Sequence, residues 1–478
     1  MKACWLTAAI LVAAVTPVFG QYQQNPIEWS FGAELNLAPS VLNENPRLYD
    51  NLNTGVRYTY GFFNLLADLS LRNDLKYSPD EPYWLGRYFY IDQGGILLDF
   101  DLISLDFGRL IHRDFLETPY SLFISSEDLP AVQADLTFQA GFFTYESRWF
   151  QLNARSLDTV IWPGGYPDRG ANYKVFALQF GDIRFGLQDS TVYTDRVFDA
   201  EYFFSPVPHL FTQLIRYPGR PSSEDINDNT ITGLFIDWTK PSSYIYAQLL
   251  VDDLAIDFLV PEFLKDMFGS TDTKFPSKLA WSLGGTYDFA FGTLGFYHAG
   301  ATKYTFAATE EAPDHPYGYT YYPVVEYALE DGTPMTLDYV DNYIGYKYGE
   351  NNIAFLVSYT STFGKVDFGA NLEYVISGSK SPANPWHEDT ERGDYTLLLD
   401  DAVLEHTLAA QVQASFPWRQ WDFYSKLRLG GVFNRLELEA SGDGGMQIFR
   451  PQAGEHRLIY ELVLGFSYTF TIGGSKGE

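Results

Sequence analysis

Near the C-terminus, apolar side chains fall on every second residue. Leu462, Leu464, Phe466, Tyr468, Phe470 and Ile472 alternate with Glu461, Val463, Gly465, Ser467, Thr469 and Thr471. A period of two sends one set to each face of an extended strand, so the segment has one apolar face and one mostly polar face. The pattern recurs at Val366, Phe368, Ala370, Leu372, Tyr374 and Ile376 against Lys365, Asp367, Gly369, Asn371 and Glu373. It appears again at Ile103, Leu105 and Phe107 against Ser104, Asp106 and Gly108.

Alternation fits a soluble β-sandwich as well as a membrane barrel, and connection length separates the two. Residues 181–182, 239–242, 290–292, 361–364 and 417–420 read as tight turns, whereas 156–171, 218–229, 254–277, 378–401 and 440–454 are long and polar. Counted back from a last strand that ends in the periplasm, each long segment falls outside and each tight turn inside, the asymmetry of outer-membrane barrels. The count requires 317–326 to be a strand despite Pro323, which cannot donate to a ladder.

Aromatic residues make up 17% of the chain, and their placement agrees with a barrel. Trp418 and Trp421 flank one tight turn, and Tyr58, Tyr60, Phe62 and Phe63 surround Gly61 at another; amphipathic rings settle at the lipid headgroup level. Gly465, Tyr468 and Phe470 resemble the terminal signal by which barrel-assembly machinery recognises its clients, although a polar tail, 473–478, follows them. Outer-membrane lipid and that machinery are the expected partners. No segment after the N-terminus is long and apolar enough for a membrane helix, which leaves strands as the spanning elements.

The N-terminus carries Lys2, an apolar run from Ala3 to Val15, Pro17, and small Gly20. Residues 1–20 therefore read as a secretory signal peptide, the run being shorter than the roughly 20 residues of a membrane anchor. Cys4, the only cysteine, leaves with it, so no disulfide is expected. Candidate strands number about 22; residues 112–130, with Phe115, Tyr120 and Phe123 among acids and prolines, are too irregular for a strand and are expected to fold into the lumen or act as a plug. The fold expected is all-β: one transmembrane antiparallel barrel over 21–478 with about 18 strands, within 16 to 22.

A net charge of −29 excludes a nucleic-acid partner, which needs clustered Lys and Arg. The seven histidines, His112, His209, His298, His315, His387, His406 and His456, show no metal-ligand spacing, and no local catalytic motif occurs. No enzyme is expected on these grounds. One cluster stands out: Asn227, Asp228 and Asn229 precede a strand through Trp238, and a second strand runs from Ser243 to Asp253. Pairing Trp238 with Ser243 across a four-residue turn places Asp228 opposite Asp253 and Asn229 opposite Asp252. Such a rim patch suits sugar hydroxyls or a Ca²⁺ ion, which takes oxygen ligands; that Ca²⁺ is the one cofactor the residues suggest. The plainer explanation is that loops favour Asn and Asp. Arg57, Lys365, Asp367, Glu373, Lys426 and Arg428 are expected to line the lumen as mutual ion pairs.

Four runs in order, Ser125–Leu136 (SSEDLPAVQADL), Asn227–Gly233 (NDNTITG), Tyr246–Asp253 (YAQLLVDD) and Tyr317–Tyr322 (YGYTYY), resemble the Wzi-like capsule-assembly family of outer-membrane barrels. The resemblance implies a non-enzymatic barrel of about 18 strands that binds surface polysaccharide and helps retain a capsule-like layer, with Asn227, Asp228, Asp252 and Asp253 as a rim patch. Described members close the periplasmic side with a helical bundle, and no amphipathic helix here supplies one. A porin passing solutes through a polar lumen is the alternative.

Overall fold

In the computed structural model every alternating segment is a strand. Described are residues 27–39, 45–74, 85–124, 129–153, 167–214, 228–253, 277–307, 317–323, 325–328, 334–382, 397–440 and 447–472; the expected leader 1–20 and the tail 473–478 lie outside them. The first nine strands are β1 (Ile27–Pro39), β2 (Pro46–Tyr60), β3 (Phe63–Arg72), β4 (Tyr88–Asp99), β5 (Ile103–Ile111), β6 (Pro130–Ala140), β7 (Phe143–Asn153), β8 (Arg169–Phe180) and β9 (Ile183–Thr194). Then follow β10 (Asn229–Lys240), β11 (Ser243–Asp253), β12 (Lys278–Phe289), β13 (Gly292–Ala301), β14 (Glu326–Ala328), β15 (Pro334–Thr336), β16 (Asn352–Phe363) and β17 (Val366–Ser377). The last are β18 (Glu405–Trp418), β19 (Trp421–Phe433), β20 (Leu436–Ala440), β21 (Gln447–Pro451) and β22 (His456–Ile472).

Eighteen of these form one antiparallel sheet. Each pairs with its neighbour in the chain, except that β13 pairs directly with β16 and β19 with β22, which leaves β14–β15 and β20–β21 as separate hairpins. Strand β22 then pairs with β1 from Ile27↔Ile472 to Leu37↔Leu462. The sheet is a closed barrel with no free edge, the condition for a β-structure in hydrocarbon. Its outer wall is apolar: Leu234, Leu372, Leu408, Leu464 and Phe296 are among the large side chains left exposed. This is an outer-membrane barrel.

Among the described residues, the two-residue turns between paired barrel strands lie at the end where β1 begins and β22 finishes: 61–62, 141–142, 181–182, 241–242, 290–291, 364–365 and 419–420. This end is periplasmic, because short turns face that side. Gly181 (φ 60°) and Gly364 (φ 67°) take left-handed backbone there, which a side chain disfavours. Rings crowd the same rim. Phe142 stacks on Phe180 at 5.6 Å, Phe62 on Phe100 at 4.8 Å and Phe289 on Phe291 at 5.3 Å, an aromatic girdle at the lipid interface.

Two expectations need correction. Residues 317–326 are not a barrel strand: the β13–β16 pairing leaves no slot in the ladder, and the segment turns inward, with Thr320 bridging only Tyr343. The tight turns are also shorter than the sequence suggested. Thr239 and Lys240 stay in the ladder, Lys240 pairing with Ser243 and Trp238 with Ile245, because Pro241 fills a turn position where no donor is needed.

Outward and inward positions should respond differently to charge. Leu372→Arg, in the outer wall at mid-strand, is expected to cost about 2–4 kcal/mol in lipid, and Gln413→Arg, facing the lumen, less than about 0.5 kcal/mol; urea unfolding in vesicles measures both, and equal costs contradict the assigned faces.

Candidate functional site

Eighteen strands enclose more volume than inward side chains fill, and the chain returns to occupy part of it. After β5 it turns inward, burying Tyr120, Leu122, Phe123 and Ile124 completely. Residues 302–307, 317–323 and 337–351 join this plug. Tyr319 N donates to Phe306 O at 2.9 Å, Ile344 N to Tyr319 O at 3.2 Å and Tyr346 N to Leu122 O at 3.2 Å, so the segments are stitched main chain to main chain.

Asp114 ties the plug to the wall. Its carboxylate accepts from Leu116 N at 3.0 Å, Phe123 N at 3.2 Å and Ile124 N at 3.3 Å, and from the amides of Gln188 on β9 at 3.0 Å and Gln248 on β11 at 3.2 Å. Burial pushes its pKa up against these donors. Across the lumen Tyr120 Oη donates to Glu373 on β17 at 2.8 Å. A second knot lies above it: Glu350 accepts from Ser381 N at 2.5 Å and from Tyr304 N, and Lys380 Nζ donates to Tyr348 O at 2.5 Å.

The opposite wall is wet and charged. Arg57 lies 3.9 Å from Asp68 near the periplasmic turns; midway, Lys426 reaches Glu461 at 2.9 Å and Tyr424 Oη donates to Glu34 at 2.7 Å. Toward the outer end Arg72 pairs with Asp92; Arg87 pairs with Asp50 on the outer face, beside Leu48 and Leu52. These side chains stay open to solvent, 65% for Arg57 and 33% for Lys426, whereas Gln188 and Arg169 on the plug side are at 0%. A cavity of about 670 Å³ opens at the periplasmic end, lined among others by Glu34, Thr293, Asp367, Gln413 and Lys426. The lumen is filled on the β7–β13 side, and on the β1–β4, β19 and β22 side its wall is polar and open to solvent.

Of the residues expected in the lumen, Arg57, Asp367, Glu373 and Lys426 are there, and Arg428 lies cross-strand from Glu461. Lys365 is not; it sits in the exposed 364–365 turn. The rim patch is not assembled as the sequence suggested, because the two-residue turn shifts the β10–β11 register by two residues and Asp228 and Asp253 are no longer cross-strand partners. Asp228 is buried against Arg196 Nη2 at 2.6 Å and Tyr202 Oη at 2.8 Å. Asn229 pairs with Val192, and Asp252 accepts from Phe306 N at 2.8 Å inside the barrel. Asp253 pairs in the backbone with Lys278; its side chain and Asn227 lie outside the described residues. Among the described residues no group of three His, Cys, Asp or Glu converges on a metal position.

Among the described residues, three histidines are held by the wall or the plug. His112 is buried with the Tyr321 hydroxyl 2.5 Å from Nε2, and burial, helped by Arg148 and Arg109, lowers its pKa to about 3. His209, 3.5 Å from Asp189, is fully buried on the outer wall. His298 accepts from Trp281 Nε1 at 3.1 Å. Missed from sequence was the segment 195–214, whose only local signal is Asp199 ahead of Ala200 and a run of phenylalanines.

No family model matches the chain, and no curated protein does. Among solved structures it is similar to OprD of Pseudomonas aeruginosa at 9% identity, with a TM-score of 0.46 and coverage of 96% of this chain and 98% of that one. OccD3 (OpdP) of Pseudomonas aeruginosa matches at 12% identity and TM-score 0.45, over 95% and 94% of the two chains. A loop-deletion mutant of OmpT, an outer membrane protein of Vibrio cholerae, matches at 10% identity and TM-score 0.37, over 93% and 98%.

Asp114→Ala strands several buried donors, each worth about 1–3 kcal/mol. It is expected to release the plug while the barrel persists, seen as new protease cleavage within 112–124 of a protein that still migrates as a folded barrel; unchanged protection contradicts the tether. His112 adds a pH dependence. Its folded pKa is depressed, so the neutral form is favoured above the ordinary value of 6.5 and that stability is lost as pH falls from 6.5 toward 3. Thermal melts of His112→Gln should lack that part of the acid loss.

Proposed function

We propose that this barrel passes small polar solutes across the outer membrane along the hydrated sector of its lumen, as a porin does, without chemistry of its own. The observation that carries this is the set of solvent-open ion pairs on the lumen wall, Arg57–Asp68, Lys426–Glu461 and Arg72–Asp92, beside a plug that fills the other side. Exposed pairs of this kind bind each other weakly, by about 0–1 kcal/mol, so a passing ion or polar solute can exchange with them at little cost. The plug narrows the path, and the charged wall sets what enters it.

A second reading is polysaccharide retention at the cell surface, with the barrel as an anchor. It is favoured by the plug itself, where Tyr319, Tyr343 and Tyr346 are sealed from solvent.

Planar bilayers test both. Purified protein should give discrete ion-passing steps, and Arg57→Glu with Lys426→Glu should move the reversal potential toward cations relative to wild type. Silence in bilayers, combined with retention of exported glycan by intact cells, supports the anchor instead; silence without it leaves neither role.

A further inference from the structure

The outer wall is not apolar all the way up. In β7, β8 and β9 the register sets Ser147 opposite Lys174 and Lys174 opposite Asp189, and this row shares the lipid-side face with Phe185 and Ile183. A lysine and an aspartate facing hydrocarbon are costly. Both are nevertheless at 0% exposure, as are Ser147 and Asn172.

Residues 195–214 cover them from outside. The segment leaves β9 and forms two short helices, Ala200–Phe204 and His209–Leu214. Lys174 Nζ donates to Val207 O at 2.7 Å, Ser147 Oγ to Phe203 O at 2.7 Å, Trp149 Nε1 to Val197 O at 2.6 Å and Tyr145 Oη to Ser205 O at 3.3 Å, while His209 N donates to Asp189. Its fold is held locally. Asp199 caps the first helix by accepting from Glu201 N and Tyr202 N, and Arg196 bridges Asp199 and Asp228.

With its polar atoms turned to the wall, this strap leaves Phe198 (41% exposed), Phe204 (67%), Leu210 (39%) and Phe211 (54%) pointing away from the barrel. They continue an apolar surface. Tyr145, bonded to the strap, packs its ring 5.2 Å from Phe176, and Phe176 lines a furrow of about 740 Å³ on the outer wall with Phe143, Phe185, Leu187 and Trp281.

We infer that the strap is a lipid-contact element, against whose Phe198, Phe204, Leu210 and Phe211 the acyl chains of the outer leaflet pack. It exchanges a charged stretch of wall for an apolar one and raises the hydrocarbon boundary on the β7–β9 side. The occupant is lipid because the face is continuous with the band that lipid already covers. This does not depend on whether the lumen conducts.

Nitroxide labels at Phe204→Cys and Phe211→Cys, in the full chain with Cys4→Ser, test it in phosphatidylcholine–phosphatidylglycerol vesicles. Leu234→Cys in the apolar wall and Glu455→Cys in an exposed loop give the lipid and water references, and heat-modifiable migration confirms that each variant folds. Oxygen should relax the labels at 204 and 211 more than a water-soluble nickel complex does, as at 234. Nickel-dominated relaxation, as at 455, overturns the inference. So does shielding from both reagents that grows with the protein-to-lipid ratio, since a second copy is then the occupant.

Discussion

In hydrocarbon no water is present to satisfy a backbone amide or carbonyl, so a chain that crosses with strands must pair every one of them within itself. The β1–β22 ladder, from Ile27↔Ile472 to Leu37↔Leu462, meets that condition by joining the two ends of the sheet. Closure by eighteen strands then sets the remaining problems: which face is apolar, how the interior is filled, and how the outer wall is kept free of charge.

The interior is solved in two ways on its two sides. Where the chain returns as a plug, its backbone and charges leave water and must find partners, and Asp114, Gln248, Glu350 and Lys380 supply them. Where it does not return, the wall keeps its water, and Arg57, Lys426 and Arg72 hold carboxylates at partly exposed positions. Buried pairs with several donors specify one arrangement, and wet pairs do not. A rigid plug beside a compliant charged wall follows from that difference.

The outer wall shows the same rule from the other direction. Lys174 and Asp189 face the lipid side and are tolerated because 195–214 supplies their partners and presents phenylalanines in their place. Asp228, which the sequence offered as part of a binding patch, serves as a tether for that segment through Arg196 and Tyr202.

What the sequence by itself determined is what depends on near neighbours. Alternation assigned the outward Leu372 and Leu464 and the inward Lys426 and Glu373 to their faces, because a period of two is local geometry, and connection length assigned the two ends of the barrel. Turn length was legible only to within two residues, since Thr239 and Lys240 suit a loop and a ladder equally, and that uncertainty alone separated Asp228 from Asp253. Only the tertiary structure decided that 317–323 joins the plug, that Asp114 meets Gln188 and Gln248, and that a loop shields Lys174. These contacts join residues far apart in the chain, and their partners are chosen by barrel closure and by the need to satisfy buried polar groups, neither of which leaves a periodic trace in the sequence.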